Sequence, residues 1–223
     1  SLDCNRHLHA MKQNCFRLLK LTNNIIDITN IETGFMELQL KNVDIVSIMK
    51  TITLSVEKYA RYKGICVQFN TEIEEKMMST DQDKLERIVL NLLSNAIKFT
   101  KEGGNVFVNV YDRGASIIIS VKDSGIGIPQ EKTSAIFDRF IQVDNTMIRC
   151  NEGSGIGLSI VKYFVEILGG TINVLSEVGV GSEFLIELPV NISSQQSQQY
   201  TTILTNDQNY EQVVSIEFSD IYK

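Results

Sequence analysis

The chain opens with a helical pattern of apolar positions. The main stripe alternates intervals of three and four residues: Leu8, Met11, Cys15, Leu18, Thr22, Ile25 and Thr29. Such spacing is typical of the seam of a coiled coil or of a helical bundle. Four more apolar side chains lie beside this stripe and widen it: Leu19, Leu21, Ile26 and Ile28. We predict a helix over 2–31 that packs in a bundle, between chains; the alternative is that it folds back on the rest of the chain.

The pattern then changes to shorter segments. Gly34 ends the first helix, and the alternation over 35–40 predicts a short strand. Asp44 is the predicted N-cap of an amphipathic helix that Gly64 ends, and Asp81 is the predicted N-cap of the next helix. Between these two helices we expect strands at 65–71 and 77–79.

Alternation dominates the second half of the chain. A hairpin is predicted from 106–110 and 117–121 with a turn at 112–114, and a last strand pair from 171–176 and 183–188. A helix over 158–168 ends at the glycines 169–170. Strands and helices interleave without a regular repeat. We therefore predict an α+β fold, an α/β sandwich with a mixed five-stranded sheet and helices on one face, preceded by one long helix.

After Pro189 the sequence becomes polar, and 193–199 has the composition of a linker. Residues 213–218 alternate like a strand, which predicts either a terminus that docks on the sheet or on a partner chain, or a disordered tail. The sequence thus divides into a first helix (1–33), a globular region (34–190) and a linker with a possible docking tail (191–223).

Composition narrows the class of protein. With 43% hydrophobic residues and a formal charge of -6, the chain is typical of a soluble, mildly acidic globular protein rather than a nucleic-acid-binding one. No apolar run reaches the roughly 20 residues of a membrane span, and no signal-peptide pattern is present. Because the chain begins inside a helical pattern, we expect a longer parent protein, which an absent region could anchor to a membrane.

The four cysteines are scattered, without a paired Cys motif or a neighbouring histidine cluster: Cys4, Cys15, Cys66 and Cys150. This spacing argues against a zinc site. We interpret them as reduced, mostly buried thiols of a cytoplasmic protein.

A polar stripe crosses the predicted helix after Asp81. Asn91, Asn95 and Lys98 share one face with Arg87, whereas the opposite face is apolar. An amide oxygen is a good ligand for Mg²⁺, and a lysine ammonium attracts phosphate. On its own, the stripe is better explained by a solvated helix face with helix-capping amides.

Two glycine loops follow this helix. In the first, Asp123 ends a strand and can accept a hydrogen bond from the amino group of a purine, while Gly125 and Gly127 allow a close backbone approach. The second, 153–157, opens a helix whose N–H groups can bind phosphate, although it lacks both the Rossmann and the P-loop pattern. Residues 130–152 suit a mobile lid anchored by Phe137 and Phe140, or these two side chains simply pack in the core.

Four of these segments together resemble the asparagine, first glycine, phenylalanine and second glycine boxes of the sensor histidine kinase catalytic domain. This domain belongs to the ATP-binding superfamily of gyrase, the ninety-kilodalton heat-shock chaperone and MutL. The segments are NLLSNAIKFT at 91–100, DSGIGIP at 123–129, IFDRF at 136–140 and GSGIGLS at 153–159. The resemblance covers about 5–190 and implies binding of ATP with Mg²⁺.

The resemblance also implies roles for single residues. Asn95 would be the magnesium ligand, with Asn91 beside it and Lys98 near the phosphates, and Asp123 would recognise the adenine. The remaining pocket and lid residues are Phe99, Gly125, Gly127, Ile128, Phe140, Gly155, Gly157 and Leu158. A phosphate contact of Arg139 is possible under the same resemblance.

Asn91 has a further chemical meaning. Members of the superfamily that hydrolyse ATP have a glutamate general base at this position, and an amide cannot accept a proton from water. The resemblance therefore implies phosphoryl transfer to a histidine. His7 and His9 lack the family's acceptor sequence, and 5–31 resembles the second helix of the dimerising hairpin. We expect a kinase fragment that lacks its acceptor helix, in which both histidines are ordinary surface or seam residues.

The function expected from this resemblance is transfer of the ATP γ-phosphoryl group to histidine, followed by relay to an aspartate of a response regulator. The expected partners are the response regulator and a second copy joined through the hairpin. Two alternatives remain: an anti-sigma-type serine kinase of the same fold, and a nucleotide-sensing module without transfer activity.

Overall fold

The structure, a computed structural model, describes residues 2–139, 155–191 and 208–221. Its α-helices are α1 (Leu2–Thr33), α2 (Ile45–Tyr62), α3 (Gln82–Phe99), α4 (Gly157–Ile167) and α5 (Gln208–Glu217). Its strands are β1 (Lys41–Asp44), β2 (Cys66–Thr71), β3 (Met77–Thr80), β4 (Asn105–Asp112), β5 (Ser116–Asp123), β6 (Thr171–Glu177) and β7 (Gly181–Pro189). Two short 3₁₀ turns, Gln130–Lys132 and Ala135–Phe137, follow β5. The predicted lid and linker lie mostly outside the described residues.

Five strands form one mixed sheet in the order β2-β4-β5-β7-β6, which confirms the predicted fold class. β2 pairs parallel with β4, and the other pairs are antiparallel. The register places Val108 opposite Val121 and Val121 opposite Phe184, so inward side chains of neighbouring strands stack on one face. That face is buried beneath the helices, as the period-two alternation requires.

The caps of α2 and α3 fix how the chain enters the helical layer. The carboxylate of Asp44 accepts hydrogen bonds from the N–H groups of Val46 and Ser47 at 3.1 and 3.2 Å. Asp81 accepts one from Lys84 N–H at 3.2 Å. Both predicted N-caps are confirmed, and each satisfies helix donors that would otherwise be unpaired.

The prediction of a strand over 35–40 is wrong. The strand in this region is β1, which pairs antiparallel with β3 in a separate two-stranded sheet. Residues before it have no strand geometry, and the N–H of Gln39 donates to the side chain of Asp81 at 2.8 Å. Phe35 is 81% exposed. Alternation alone therefore did not produce a strand here, because no described neighbour pairs with this backbone.

The strand predicted over 213–218 is also wrong, because residues 213–217 belong to α5 and Phe218 follows in a turn. Val214, Phe218 and Ile221 are buried, and their spacing of four and three residues is that of a helix face. The ring of Phe218 lies 4.7 Å from that of Tyr59, and Ser215 Oγ lies 3.0 Å from Tyr59 Oη. The terminus thus docks on the helices, in contact with α1, α2 and α3, rather than on the sheet.

The expectation of mostly buried thiols fails as well. Cys4, Cys15 and Cys66 are free and exposed, and Cys150 lies outside the described residues. Cys66 is at the start of β2, the edge strand, whose side chains are only partly covered.

None of the helices in the described part of the chain has the length and apolar content that a membrane span needs.

Candidate functional site

The two asparagines of the polar stripe form a hydrogen-bonded pair on α3. Asn95 Nδ2 donates to Asn91 Oδ1 at 3.2 Å. Both side chains are half-buried, whereas the neighbouring leucines at 92 and 93 are fully buried in the core. The helical spacing of four residues therefore places two amides side by side at the edge of the core.

Arg87 shares this helix but is committed to an ion pair. Its guanidinium donates to both carboxylate oxygens of Asp27 on α1, and it lies over the ring of Phe164, 5.2 Å from the centroid. Burial lowers the pKa of Arg87, but the hydrogen bonds and charge of Asp27 outweigh this effect, and the net pKa is raised. Arg87 therefore anchors α1 to the globular region.

The first glycine loop packs against the C-terminal end of α3. Asp123, only 8% exposed, accepts a hydrogen bond from Gly125 N–H at 2.8 Å. Burial raises the pKa of Asp123, although backbone N–H groups of Gly125 and Ser182 lower it in part. Ile126 N–H donates to the backbone oxygen of Phe99 at 3.3 Å. A Cβ atom at Gly125 would lie 2.7 Å from that same oxygen, so only glycine fits.

The other side of this loop contacts the turn between β6 and β7. Gly127 has a φ of 69°, and a Cβ atom there would lie 2.0 Å from the backbone oxygen of Glu177. Ile128 N–H donates to Ser176 Oγ at 2.7 Å. These contacts hold the loop between the end of α3 and the sheet.

The second glycine loop meets α3 at Asn91. Gly155 has a φ of 68°, and Gly157 begins α4. A Cβ atom at Gly157 would lie 2.6 Å from Asn91 Nδ2. Leu158 is half-buried and packs against the core. The two glycine loops therefore contact α3 eight residues apart, at Asn91 and Phe99, which is about 12 Å along a helix.

Lys98 and Phe99 lie at the end of the stripe near the first loop. Lys98 Nζ is 5.5 Å from the centre of the Phe99 ring, which is 36% exposed. Lys63 Nζ donates to the backbone oxygens of Ile97 and Lys98 at 2.8 and 2.9 Å, and a lysine there also complements the helix dipole. Sequence reasoning missed Lys63. The one signal in the sequence is its position just before Gly64, at the end of the preceding helix.

Sequence reasoning also missed Glu217, which contacts the asparagine pair. Its Oε1 accepts a hydrogen bond from Asn91 Nδ2 at 3.2 Å and lies 3.1 Å from Lys20 Nζ on α1. Its backbone oxygen accepts one from Ser94 Oγ at 3.2 Å. The helical spacing of Val214, Phe218 and Ile221 was the signal that could have placed this carboxylate beside the helices.

The phenylalanine segment is described only up to Arg139. Phe137 contacts Phe184 edge to face, with ring centres 6.4 Å apart, and so packs against the core. Arg139 pairs with Glu32 of α1. Phe140 lies outside the described residues, and the role of both phenylalanines as lid anchors stays a prediction.

The described residues fit a nucleotide with a divalent cation in three respects. A buried carboxylate, Asp123, has acceptor capacity beyond its two backbone donors. Gly125, Gly127 and Gly157 pack against protein neighbours without room for a side chain, which holds both loop backbones beside α3, where a ligand would meet them. Asn95 uses its amide nitrogen within the pair, and its oxygen remains for a hard cation.

Residues 80–192 match the family described as histidine kinase-, DNA gyrase B-, and HSP90-like ATPase. This chain belongs to that family. Among relatives in the family, it is 35% identical over 219 residues to hybrid signal transduction histidine kinase D of Dictyostelium discoideum, covering 95% of this chain and 14% of that protein. It is 36% identical over 188 residues to sensor histidine kinase TmoS of Ectopseudomonas mendocina, covering 83% of this chain and 19% of that protein.

Solved histidine kinases of the family share its fold. Full-length ShkA, solved in complex with AMPPNP, is 28% identical, with a TM-score of 0.74 over 85% of this chain and 39% of that one. The catalytic domain of ThkA is 27% identical, with a TM-score of 0.61 over 70% of this chain and 99% of its own. The chain therefore spans under a fifth of the two curated relatives but nearly all of a solved catalytic domain.

Proposed function

We propose that this chain is the ATP-binding catalytic region of a sensor histidine kinase. It transfers the γ-phosphoryl group of ATP to a histidine, for relay to an aspartate of a response regulator. The observation that carries the proposal is the meeting of both glycine loops with one helix, at Asn91 and at Phe99. Relatives named as histidine kinases, and the nucleotide complex of ShkA, support it.

Each residue of the site has a distinct role in this proposal. Asp123 accepts the hydrogen bond of the adenine amino group, and the glycines at 125, 127, 155 and 157 let backbone approach the nucleotide. Phe99, Ile128, Leu158 and Phe140 supply its apolar surroundings. Lys98 meets phosphate charge. Asn95 ligates Mg²⁺, which supplies charge neutralisation on the phosphates when bound.

The chemistry favours transfer over hydrolysis. Asn91 stands where hydrolysing relatives have a glutamate, and an amide is not a general base. Positioning of the phosphates and of the acceptor then provides most of the rate enhancement.

The acceptor histidine comes from another helix in this proposal, and α1 is the second helix of the dimerising hairpin. His7 is exposed. The apolar stripe of α1 is exposed too, with Leu18 63% and Ile25 59% accessible, while the opposite side of α1 packs on α4 and α5. A homodimer through this hairpin would cover the stripe.

Nucleotide binding is tested by calorimetric titration with AMPPNP, with and without Mg²⁺. We expect Asn95→Ala to remove most of the Mg²⁺ dependence and Asp123→Asn to weaken binding at least about 10-fold, because one buried polar contact is lost. Asn109→Ala is the matched control, since Asn109 lies on the other face of the sheet, bonded to Asn70 and Ser120. Unchanged affinity in both site variants would overturn the assignment.

Transfer is tested with radiolabelled ATP. The chain alone should remain unlabelled, and a supplied acceptor hairpin should become labelled slowly with acid-labile phosphate. Label on His7 or His9 would contradict the proposal. Acid-stable label on a protein substrate would favour the serine kinase instead, and nucleotide binding without any transfer would favour a sensing module.

A further inference from the structure

Glu217 connects three helices at the asparagine pair. It ends α5, and its Oε1 atom lies 3.2 Å from Asn91 Nδ2 on α3 and 3.1 Å from Lys20 Nζ on α1. Lys20 also pairs with Asp220, at 3.3 Å. Burial lowers the pKa of Lys20, but the charges of Glu217 and Asp220 and their hydrogen bonds outweigh it, so the net pKa is raised. The lysine thus stays charged and compensates the carboxylate.

The chemistry of a carboxylate fixes the direction of the hydrogen bonds that follow. An ionised carboxylate only accepts, so Asn91 must turn its amino group toward Glu217. Its Oδ1 atom then faces Asn95 and accepts from Asn95 Nδ2 at 3.2 Å. The atom of Asn95 left for a ligand is Oδ1, to which no described residue donates a hydrogen bond.

This outcome matters for a cation. Mg²⁺ binds oxygen and not an amide NH₂ group, so an asparagine ligand works only in one of its two amide orientations. Partners outside the ligand shell commonly select that orientation, and their loss typically weakens metal binding 10- to 100-fold.

We propose that Glu217 is a positioning residue, which orients Asn91 and through it leaves the Asn95 oxygen available to ligate the magnesium that a bound nucleotide would carry. The inference rests on the proposed function, because it assumes that Asn95 is a metal ligand. It assigns to the C-terminal helix a part in the site that its position, 122 residues after Asn95, does not suggest.

Two rival roles of Glu217 are less compatible with the geometry. As a direct metal ligand or as a plug against phosphate, its carboxylate would have to face the nucleotide. The cavity beside it, lined by Asn24, Arg87, Asn91, Gly157 and Glu217 among others, measures about 10 Å³, which is room for about one water molecule and not for a phosphate group. Glu217 Oε1 also already pairs with Lys20 Nζ.

The test compares Glu217→Ala with Glu217→Gln in the full chain, by titration with AMPPNP in Mg²⁺ and again in EDTA. Glutamine keeps an acceptor oxygen for Asn91, so it should retain Mg²⁺-dependent binding. The alanine variant should bind AMPPNP about 10-fold more weakly in Mg²⁺, and its affinity in EDTA should change little. Glu211→Ala is the matched control, because it removes an exposed carboxylate from the same helix.

The outcomes separate the roles. A glutamine variant that fails like the alanine variant would overturn positioning in favour of a direct charge effect, and tighter binding by the alanine variant would identify a plug. Equal losses of AMPPNP affinity in Mg²⁺ and in EDTA would show that Glu217 has only a structural role. Thermal unfolding without nucleotide checks that each variant is folded. If the wild-type chain binds no AMPPNP, the proposed function fails instead.

Discussion

Gly157 and Asn91 are in such close contact that a single added carbon would not fit between them. A Cβ atom at Gly157 would lie 2.6 Å from Nδ2, 3.0 Å from Oδ1 and 3.2 Å from Cγ of Asn91. The Asn91 side chain cannot simply move aside, because Glu217 and Asn95 hold both ends of its amide. The start of α4 and the polar stripe of α3 therefore form one unit.

We expect Gly157→Ala to displace the Asn91 amide and to lower AMPPNP affinity about 10-fold, as loss of an oriented polar contact of about 1.4 kcal/mol would do. Stability should fall as well, because the displaced amide loses its hydrogen bonds to Glu217 and Asn95. Gly114→Ala is the control: a φ of 78° strains an alanine there, but no atom of the described residues lies within 4 Å of the Cβ position. It should cost stability without affecting binding. Weaker binding in Gly114→Ala together with unchanged binding in Gly157→Ala would contradict the contact.

Parts of this fold were predictable because their causes are local. Asp44 and Asp81 bind N–H groups two or three residues away, and alternation around Val108 and Val121 needs only neighbouring strands. The segments of the four boxes were recognisable for the same reason, since each is short and continuous.

The missing parts depend on distant partners. Asn91 and Glu217 are 126 residues apart, and Arg87 and Asp27 are 60 apart. Nothing near Arg87 in sequence shows that a buried carboxylate on α1 neutralises it. The alternation over 213–218 was compatible with a strand, and the docking of Val214 and Phe218 in the core favours the helix. Tertiary contacts decided these cases.

The Arg87–Asp27 pair gives a prediction about stability. Asp27 is only 5% exposed, and Arg87→Ala would leave its charge buried without its guanidinium. We expect the free energy of unfolding in urea to fall by about 3 kcal/mol, because a buried charge that loses its partner is costly. Arg61→Ala is the control: its pair with Glu57 is exposed, and its loss should cost less than about 1 kcal/mol. Equal effects would show that Asp27 is solvated.

The charge of Asp123 should have opposite effects on stability and on AMPPNP binding. Burial raises its pKa above the ordinary 3.8, so the folded chain holds this proton more tightly than the unfolded chain. The contribution to stability is full below pH 3.8 and is lost as pH rises through the folded pKa. Above the folded pKa the charged carboxyl is therefore a cost to stability.

Asp123→Asn removes that cost. We expect the variant to equal or exceed the wild type in Tm at pH 7 while binding AMPPNP at least about 10-fold more weakly, as loss of an acceptor implies. As pH is lowered through the folded pKa of Asp123, the wild type protonates, and the Tm advantage of the variant should shrink. A Tm difference that stays constant with pH would show that burial does not raise this pKa.

Asn91 should decide whether the site can hydrolyse ATP. Asn91→Glu supplies a general base, but in the wild-type background its carboxylate would meet that of Glu217, so we combine it with Glu217→Gln, whose amide can donate to it. General-base catalysis contributes roughly 100-fold or more, and misplacement leaves an expected rise of at least about 10-fold in phosphate release at saturating ATP. Asn91→Gln with Glu217→Gln has the same side-chain length and no base, and its rate should not exceed that of the wild type. A similar rise in both double variants would mean that the wild-type amide blocks water by its position and not by its inability to take a proton.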